Sequence, residues 1–253
     1  MSRCVISMTI YDVEHYSDEE KAQIIASYPA HEREARAKGI PALGSGRVFP
    51  IVEEDIRIEP FQIPAHWPQV IGSDFGWDHP FASARLAWDR DSDAVFVTHT
   101  YRQREATPVI HAAALRSWGS WIPVAWPHDG YQHDKQSGNQ LAQAYRDEGL
   151  NMMHEHATHE AGGYGLEAGV SEMLTRMQTG RWKVFSNQED WFEEFRLYHR
   201  KNGLIVKERD DLMSASRIGM MMLRFATTKD PIEEKSDRYS RRRRGGGGSA
   251  WAA

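Results

Sequence analysis

Apolar and polar positions become regularly patterned at Val70 and remain so to about Phe225, which predicts a sheet followed by alternating helices and strands. Residues 70 to 74, 83 to 88 and 94 to 101 read as consecutive strands, with turn signals at His79-Pro80 and Asp89-Arg90-Asp91, the pattern of an antiparallel meander. Val109 to Trp118 follows a helical period with Ile110, Ala113, Ala114 and Trp118 on one side. Ile122 to Trp126 is apolar throughout and predicts an interior strand. Gln136 to Glu148 predicts a helix ended by Gly149, and Leu150 to His154 a fifth strand, so the order is β-β-β-α-β-α-β. After the Gly162-Gly163 loop come a helix over Leu166 to Thr179, a strand at Trp182 to Phe185 and a helix over Glu189 to Tyr198. A strand at Leu204 to Val206 follows the Asn202-Gly203 turn, and the last helix runs from about Asp211 to Phe225. Trp182, Trp191, Phe192 and Phe195 fall at spacings that suit a core better than base stacking. No internal repeat is present.

Residues 1 to about 66 differ from this pattern. Met8 to Tyr11 predicts a short strand, and Ser17-Asp18-Glu19-Glu20 a capping box that opens a helix to about Ser27. Pro29 interrupts it, Ala30 to Lys38 predicts a second helix closed by Gly39, and Pro41 to Pro50 is a connector. Too few apolar positions occur here for an independent core. The expected organisation is residues 1–66 as a remnant of a preceding domain plus linker, 67–227 as the main domain, and 228–253 as a disordered tail.

Composition narrows the function classes. The 253 residues are 40% hydrophobic and 26% charged, as in soluble globular chains, and no apolar run reaches the roughly 20 residues that span a bilayer, so no membrane partner is expected. The single cysteine, Cys4, excludes an intrachain disulfide or a cysteine-based zinc site and suits a reducing compartment. A formal charge of −5 argues against a generic nucleic-acid coat but not against a nuclease, whose site concentrates carboxylates. No G-x-x-x-x-G-K-[ST] occurs, which excludes a P-loop, and Gly44-Ser45-Gly46 is too short for a dinucleotide fingerprint. His154-Glu155-His156-Ala157-Thr158-His159-Glu160 fails the H-E-x-x-H spacing because Thr158 stands four residues after His154, leaving a strand end and solvated loop.

The chemistry lies in acidic positions. Asp74 ends an apolar strand, where an unpaired charge costs several kcal/mol unless a cation or several donors meet it; a turn aspartate bonding its own backbone before Gly76 is the alternative. Asp78 is the weaker neighbour, because Asp-His-Pro is ordinary turn chemistry. Asp129 follows the most apolar strand, flanked by His128 and His133, and adjacent strands would bring it near Asp74. Asp210 and Asp211 open the last helix. Asp211 shares a face with Ala215, Ile218 and Met222, Asp210 with Ser214, Arg217 and Met221. The first face should point to the sheet, so Asp211 is the preferred metal ligand; Asp210 caps the helix or binds a second ion. Arg238 and Arg241 to Arg244 either contact phosphates or form a solvated tail.

Together the runs Gly72-Ser73-Asp74-Phe75-Gly76-Trp77-Asp78-His79-Pro80, Trp126-Pro127-His128-Asp129-Gly130 and Asp210-Asp211-Leu212-Met213-Ser214-Ala215 resemble the nuclease domain of the large terminase subunit of tailed bacteriophages, over residues 67 to 227. The resemblance implies a ribonuclease H-like α/β fold whose mixed central sheet, with its first three strands antiparallel, is flanked by helices. It implies Asp74, Asp129 and Asp211 as catalytic carboxylates holding two Mg²⁺ or Mn²⁺ ions, roughly 3.5 to 4 Å apart, for in-line phosphodiester cleavage. It implies double-stranded DNA as substrate, a portal protein and a small terminase subunit as partners, and the bacterial host cytoplasm as the location. The stretch to Pro50 is similar to the segment joining the family's packaging ATPase to its nuclease. That ATPase is missing here, so an isolated fragment or a short gene product is expected, with cleavage and not translocation as its activity. A Holliday-junction resolvase-like nuclease and a catalytically silent docking module of the motor are the alternatives.

Overall fold

The computed structural model describes residues 8–28, 33–38, 46–131 and 141–229. The expected meander is present as β2 (Gln69–Asp74), β3 (Phe81–Asp89) and β4 (Ala94–Gln103), antiparallel in sequence order. Three short strands extend it. β5 (Val124–Ala125) lies parallel to β2, β6 (Trp182–Phe185) parallel to β4, and β1 (Arg57–Ile58) parallel to β6. The sheet order is therefore β1-β6-β4-β3-β2-β5.

Side chains on a strand alternate between the two faces of its sheet, and β2 shows this directly: Val70 joins one buried cluster and Ile71 the other. The Val70 cluster is closed by α6 (Leu166–Gln178), α7 (Glu189–Leu197) and α8 (Asp211–Met221), with Trp182, Trp191, Phe192 and Phe195 buried in it as core. The Ile71 cluster is closed by α4 (Pro108–Arg116) and α5 (Leu141–Asp147). Ala82 and Ala84 on β3 face the first cluster beside Gly72, and these small residues let α8 approach the sheet.

Several expectations are corrected. Met8 to Tyr11 is not a strand: Ile10–Asp12 is a 3-10 turn, closed by Asp12 accepting from the Thr9 amide and hydroxyl. Leu150 to His154 is reduced to a bridge from Met152 to Val124, and with β2 on its other side β5 is flanked on both sides, as expected of an interior strand. Its burial comes from the packing of Ile122, Val124 and Trp126 against α4 and α5. On α4 the buried face is His111, Ala112 and Leu115, not the expected one; Ile110 and Ala113 are exposed. A polar histidine misled the pattern, since the His111 ring stacks on Phe81 while its Nδ1 meets the Tyr101 hydroxyl. The strand expected after the Asn202-Gly203 turn is present as β8 (Leu204–Ile205), paired with β7 (Arg200–Lys201), whereas the last helix stops at Met221 before a 3-10 turn.

The capping box at Ser17 is present and opens α1 (Asp18–Ser27), while α2 spans Arg33–Ala37. Position 66 is not a packing boundary. Val48, Phe49 and Ile56 are buried in the main core, and α3 (Glu53–Ile56) leads into β1 of the central sheet. Cys4, His133, Arg238, Arg241 to Arg244, the 41–45 part of the connector, the start of the helix expected at Gln136 and the tail from residue 230 lie outside the described residues.

Candidate active site

One end of the sheet carries a cleft of about 550 Å³ lined by Asp74, Asp129, Asp210 and Asp211. Local structure explains each placement. Asp74 has the same strand parity as Val70 and Gly72, so it lies on the α8 face of β2, one residue beyond the buried part of the strand. Asp129 reaches the cleft because β5 runs parallel to β2 and Pro127 turns the chain into the 3-10 segment His128–Tyr131. Gly130 permits that segment to lie flat, since a Cβ there would meet the rings of Trp126 and Phe75. Asp210 and Asp211 begin α8, whose polar stripe continues through Ser214 and Arg217 along the same cleft.

Four carboxylates in one partly dry cleft repel one another. Burial raises the Asp74 carboxyl to about 7, with the charges of Asp129 and Asp210 adding to the rise and the Ser214 hydrogen bond and Arg217 opposing it. Burial likewise raises Asp210 to about 6, helped by Asp211, and lifts Asp129 and Asp211 above the ordinary carboxylate range. Burial and like charge disfavour the ionised forms, and a bound cation reverses that preference. Among the described residues no three carboxyl, imidazole or thiol groups already surround one common position. Mg²⁺ is commonly held through one or two carboxylates with water completing its shell, so pairs drawn from these hard oxygen donors meet its needs.

The segment carrying all of these carboxylates, residues 71–223, matches the family model described as the terminase RNaseH-like domain. The chain belongs to that family. Residues 2–56 match a second model, the T4-like N-terminal region of the terminase large subunit. The terminase large subunit of Salmonella phage P22 is 51% identical over 238 residues, which are 94% of this chain and 48% of that protein. The chain thus spans about half the length of the curated relatives it matches. The solved nuclease domain of the P22 large terminase superposes with a TM-score of 0.69 at 48% identity, covering 73% of this chain and 95% of that one. A magnesium-bound nuclease of the large terminase from thermophilic phage G20c shares the fold alone, at TM-score 0.50 and 16% identity, covering 71% of this chain and 97% of that one.

Within this terminase nuclease domain the sequence-expected residues separate. Asp74, Asp129, Asp210 and Asp211 converge, whereas Asp78 stands exposed on a bend and does not line the cleft. The tight turn explains the difference: Gly76 packs against the carbonyls of His79 and Pro80, and His79 lines the cleft instead. On α8 the charge of Asp210 adds to the rise at Asp74, while His79, Arg102 and Arg104 oppose the rise that burial imposes on Asp211. Asp210 occupies the N-cap position yet its side chain makes no capping hydrogen bond, so capping does not employ it. The histidine-rich loop at His154 to His159 is non-helical and forms no metal cluster among the described residues.

Sequence reasoning missed Lys207, His79 and Tyr164, which line the cleft from irregular segments that carry no periodic signal. It also missed Glu194, buried behind the cleft. That one had a signal: in α7 it falls on the stripe of Trp191, Phe195 and Tyr198, an acid at an apolar position.

Proposed function

We propose that this chain is a divalent-metal-dependent endonuclease that cuts double-stranded concatemeric viral DNA during genome packaging. The convergence of Asp74, Asp129, Asp210 and Asp211 on one cleft carries this reading. Asp74 and Asp129, with Asp210 and Asp211 from α8, would hold one or two Mg²⁺ or Mn²⁺ ions, magnesium being bound in one solved structure of the G20c nuclease. When bound, such ions supply a Lewis acid for the phosphoryl oxygen and a water made nucleophilic at neutral pH. The chain's own residues do the rest. Ser214 lines the cleft beside Asp74 and favours its ionised form. Lys207 lines the cleft beside the carboxylates and supplies a positive charge for the phosphate backbone.

The match at residues 2–56 supports reading the N-terminal segment as part of a packaging ATPase domain and its linker. On the same reading the partners are the portal protein and the small terminase subunit, in the cytoplasm of the bacterial host. Among the described residues no helix is long and apolar enough to cross a membrane.

Cleavage of supercoiled plasmid by the purified protein tests the reading. Nicked and linear products are expected with Mg²⁺ or Mn²⁺ and none with EDTA, and Asp129→Ala should remove them while the circular dichroism spectrum is retained. Full activity in EDTA or in the variant would sink the proposal. A plain duplex should be cut at least as well as a four-way junction; strong preference for the junction would favour a resolvase.

A further inference from the structure

The first backbone amides of a helix have no partner inside it, and the N-cap side chain usually satisfies those at the second and third helical positions. In α8 the N-cap side chain, Asp210, does not do so. Both amides are nevertheless met, by a residue from another helix. Oε2 of Glu194 accepts from the Leu212 amide at 2.6 Å and from the Met213 amide at 3.3 Å. Its other oxygen, Oε1, accepts from Arg102 Nη1 at 2.7 Å. Glu194 is fully buried, and Arg102, at the end of β4, also lies near Asp190 and Glu193.

A buried ion pair is a poor device for stability alone, because desolvation offsets most of its attraction. Its geometric consequence here is specific. With the capping duty moved to α7, the Asp210 carboxylate is left to the cleft, and the first turn of α8 is pinned to the end of β4. We propose that Glu194 is a positioning residue for the nuclease centre, holding Asp210 and Asp211 where a divalent ion can engage them. The proposal rests on the metal-dependent reading of the cleft given above.

Chemistry dictates the variant. Both carboxylate oxygens accept, one from Arg102 and the other from α8, so the amide of Glu194→Gln must set its NH₂ donor against one of those donors. Glu194→Asp keeps the charge but withdraws it by one methylene, and serves as the milder variant should the first not fold. Two readouts are taken on purified protein: hydrogen exchange of the Leu212 and Met213 amides in EDTA, and Mn²⁺ affinity by titration calorimetry. The expected result is faster exchange at those amides and Mn²⁺ binding weakened roughly 10- to 100-fold, the range typical for groups that orient metal ligands. A folded Glu194→Gln or Glu194→Asp protein with a lowered melting temperature but wild-type Mn²⁺ affinity would reduce Glu194 to a purely structural residue and overturn the proposal. Absence of Mn²⁺ binding by the wild-type protein would instead overturn the metal reading of the cleft, and this proposal with it.

Discussion

Asp74→Asn is expected to abolish DNA cleavage and, in the absence of metal, to make the protein more heat-stable at pH 8. Both effects have one cause. Asp74 sits deep in the cleft beside Asp129, Asp210 and Arg217, and burial lifts its carboxyl from 3.8 to about 7. A group whose folded pKa is raised binds more protons folded than unfolded between those two values, so its contribution to stability falls as pH rises through that window. Without metal the wild-type protein should therefore lose stability from about pH 4 to about pH 7, and at pH 8 it carries the whole cost of an ionised Asp74. At roughly 1.4 kcal/mol per pKa unit that cost is at most a few kcal/mol. Asparagine never ionises, so its advantage in melting temperature should be present at pH 8, shrink on acidification and vanish near pH 4.

Metal reverses the comparison. A divalent ion favours the ionised carboxylate, so Mg²⁺ or Mn²⁺ should raise the wild-type melting temperature at pH 8 and leave Asp74→Asn almost unchanged. With Asp74 as a direct ligand, as proposed, its loss should cost more activity than the roughly 10- to 100-fold lost when a ligand-orienting group is removed. Thermal melts at several pH values with EDTA or Mn²⁺, run beside a plasmid assay, check all of this. A variant less stable than wild type at pH 8 in EDTA would mean that Asp74 is held by compensating donors and is no metal position.

Gly72→Ala is expected to destabilise the fold by about 3 kcal/mol or more, at the upper end of what overpacking costs. The alanine methyl would fall on the Ala215 carbonyl oxygen and the Gly219 amide nitrogen and lie 2.7 Å from the Gly219 Cα, all backbone atoms of α8 that no rotamer change can move. Relief requires α8 to lift from β2. That motion draws Asp210, Ser214 and Arg217 away from Asp74, so nuclease activity should fall even at temperatures where the variant remains folded. Chemical denaturation and the plasmid assay measure the two losses. A variant with wild-type stability would show that the contact of β2 with α8 yields easily and does not set the geometry of the cleft.

The sequence by itself determined the meander, because strand periodicity and turn residues act over a few positions, and it singled out Asp74 and Asp129, which line the cleft, because a charge at the end of an apolar run needs a reason visible locally. It also separated the two faces at the start of α8. What it could not decide was which face meets Asp74. The helical wheel sends Asp211 toward the sheet, and Asp211 is indeed buried, but Asp74 lies at the strand end beside the polar stripe of Asp210, Ser214 and Arg217. That alignment follows from the close approach of Gly72 to Gly219, which fixes the rotation and height of α8 over β2 and has no trace in local pattern. The inclusion of Arg57 and Ile58 in the sheet, beside β6 and more than a hundred residues from it in sequence, was equally a matter of tertiary pairing. So was the acid on α7 that caps α8. Periodicity reports which side of an element avoids water; only the assembled structure decides which element that side will meet.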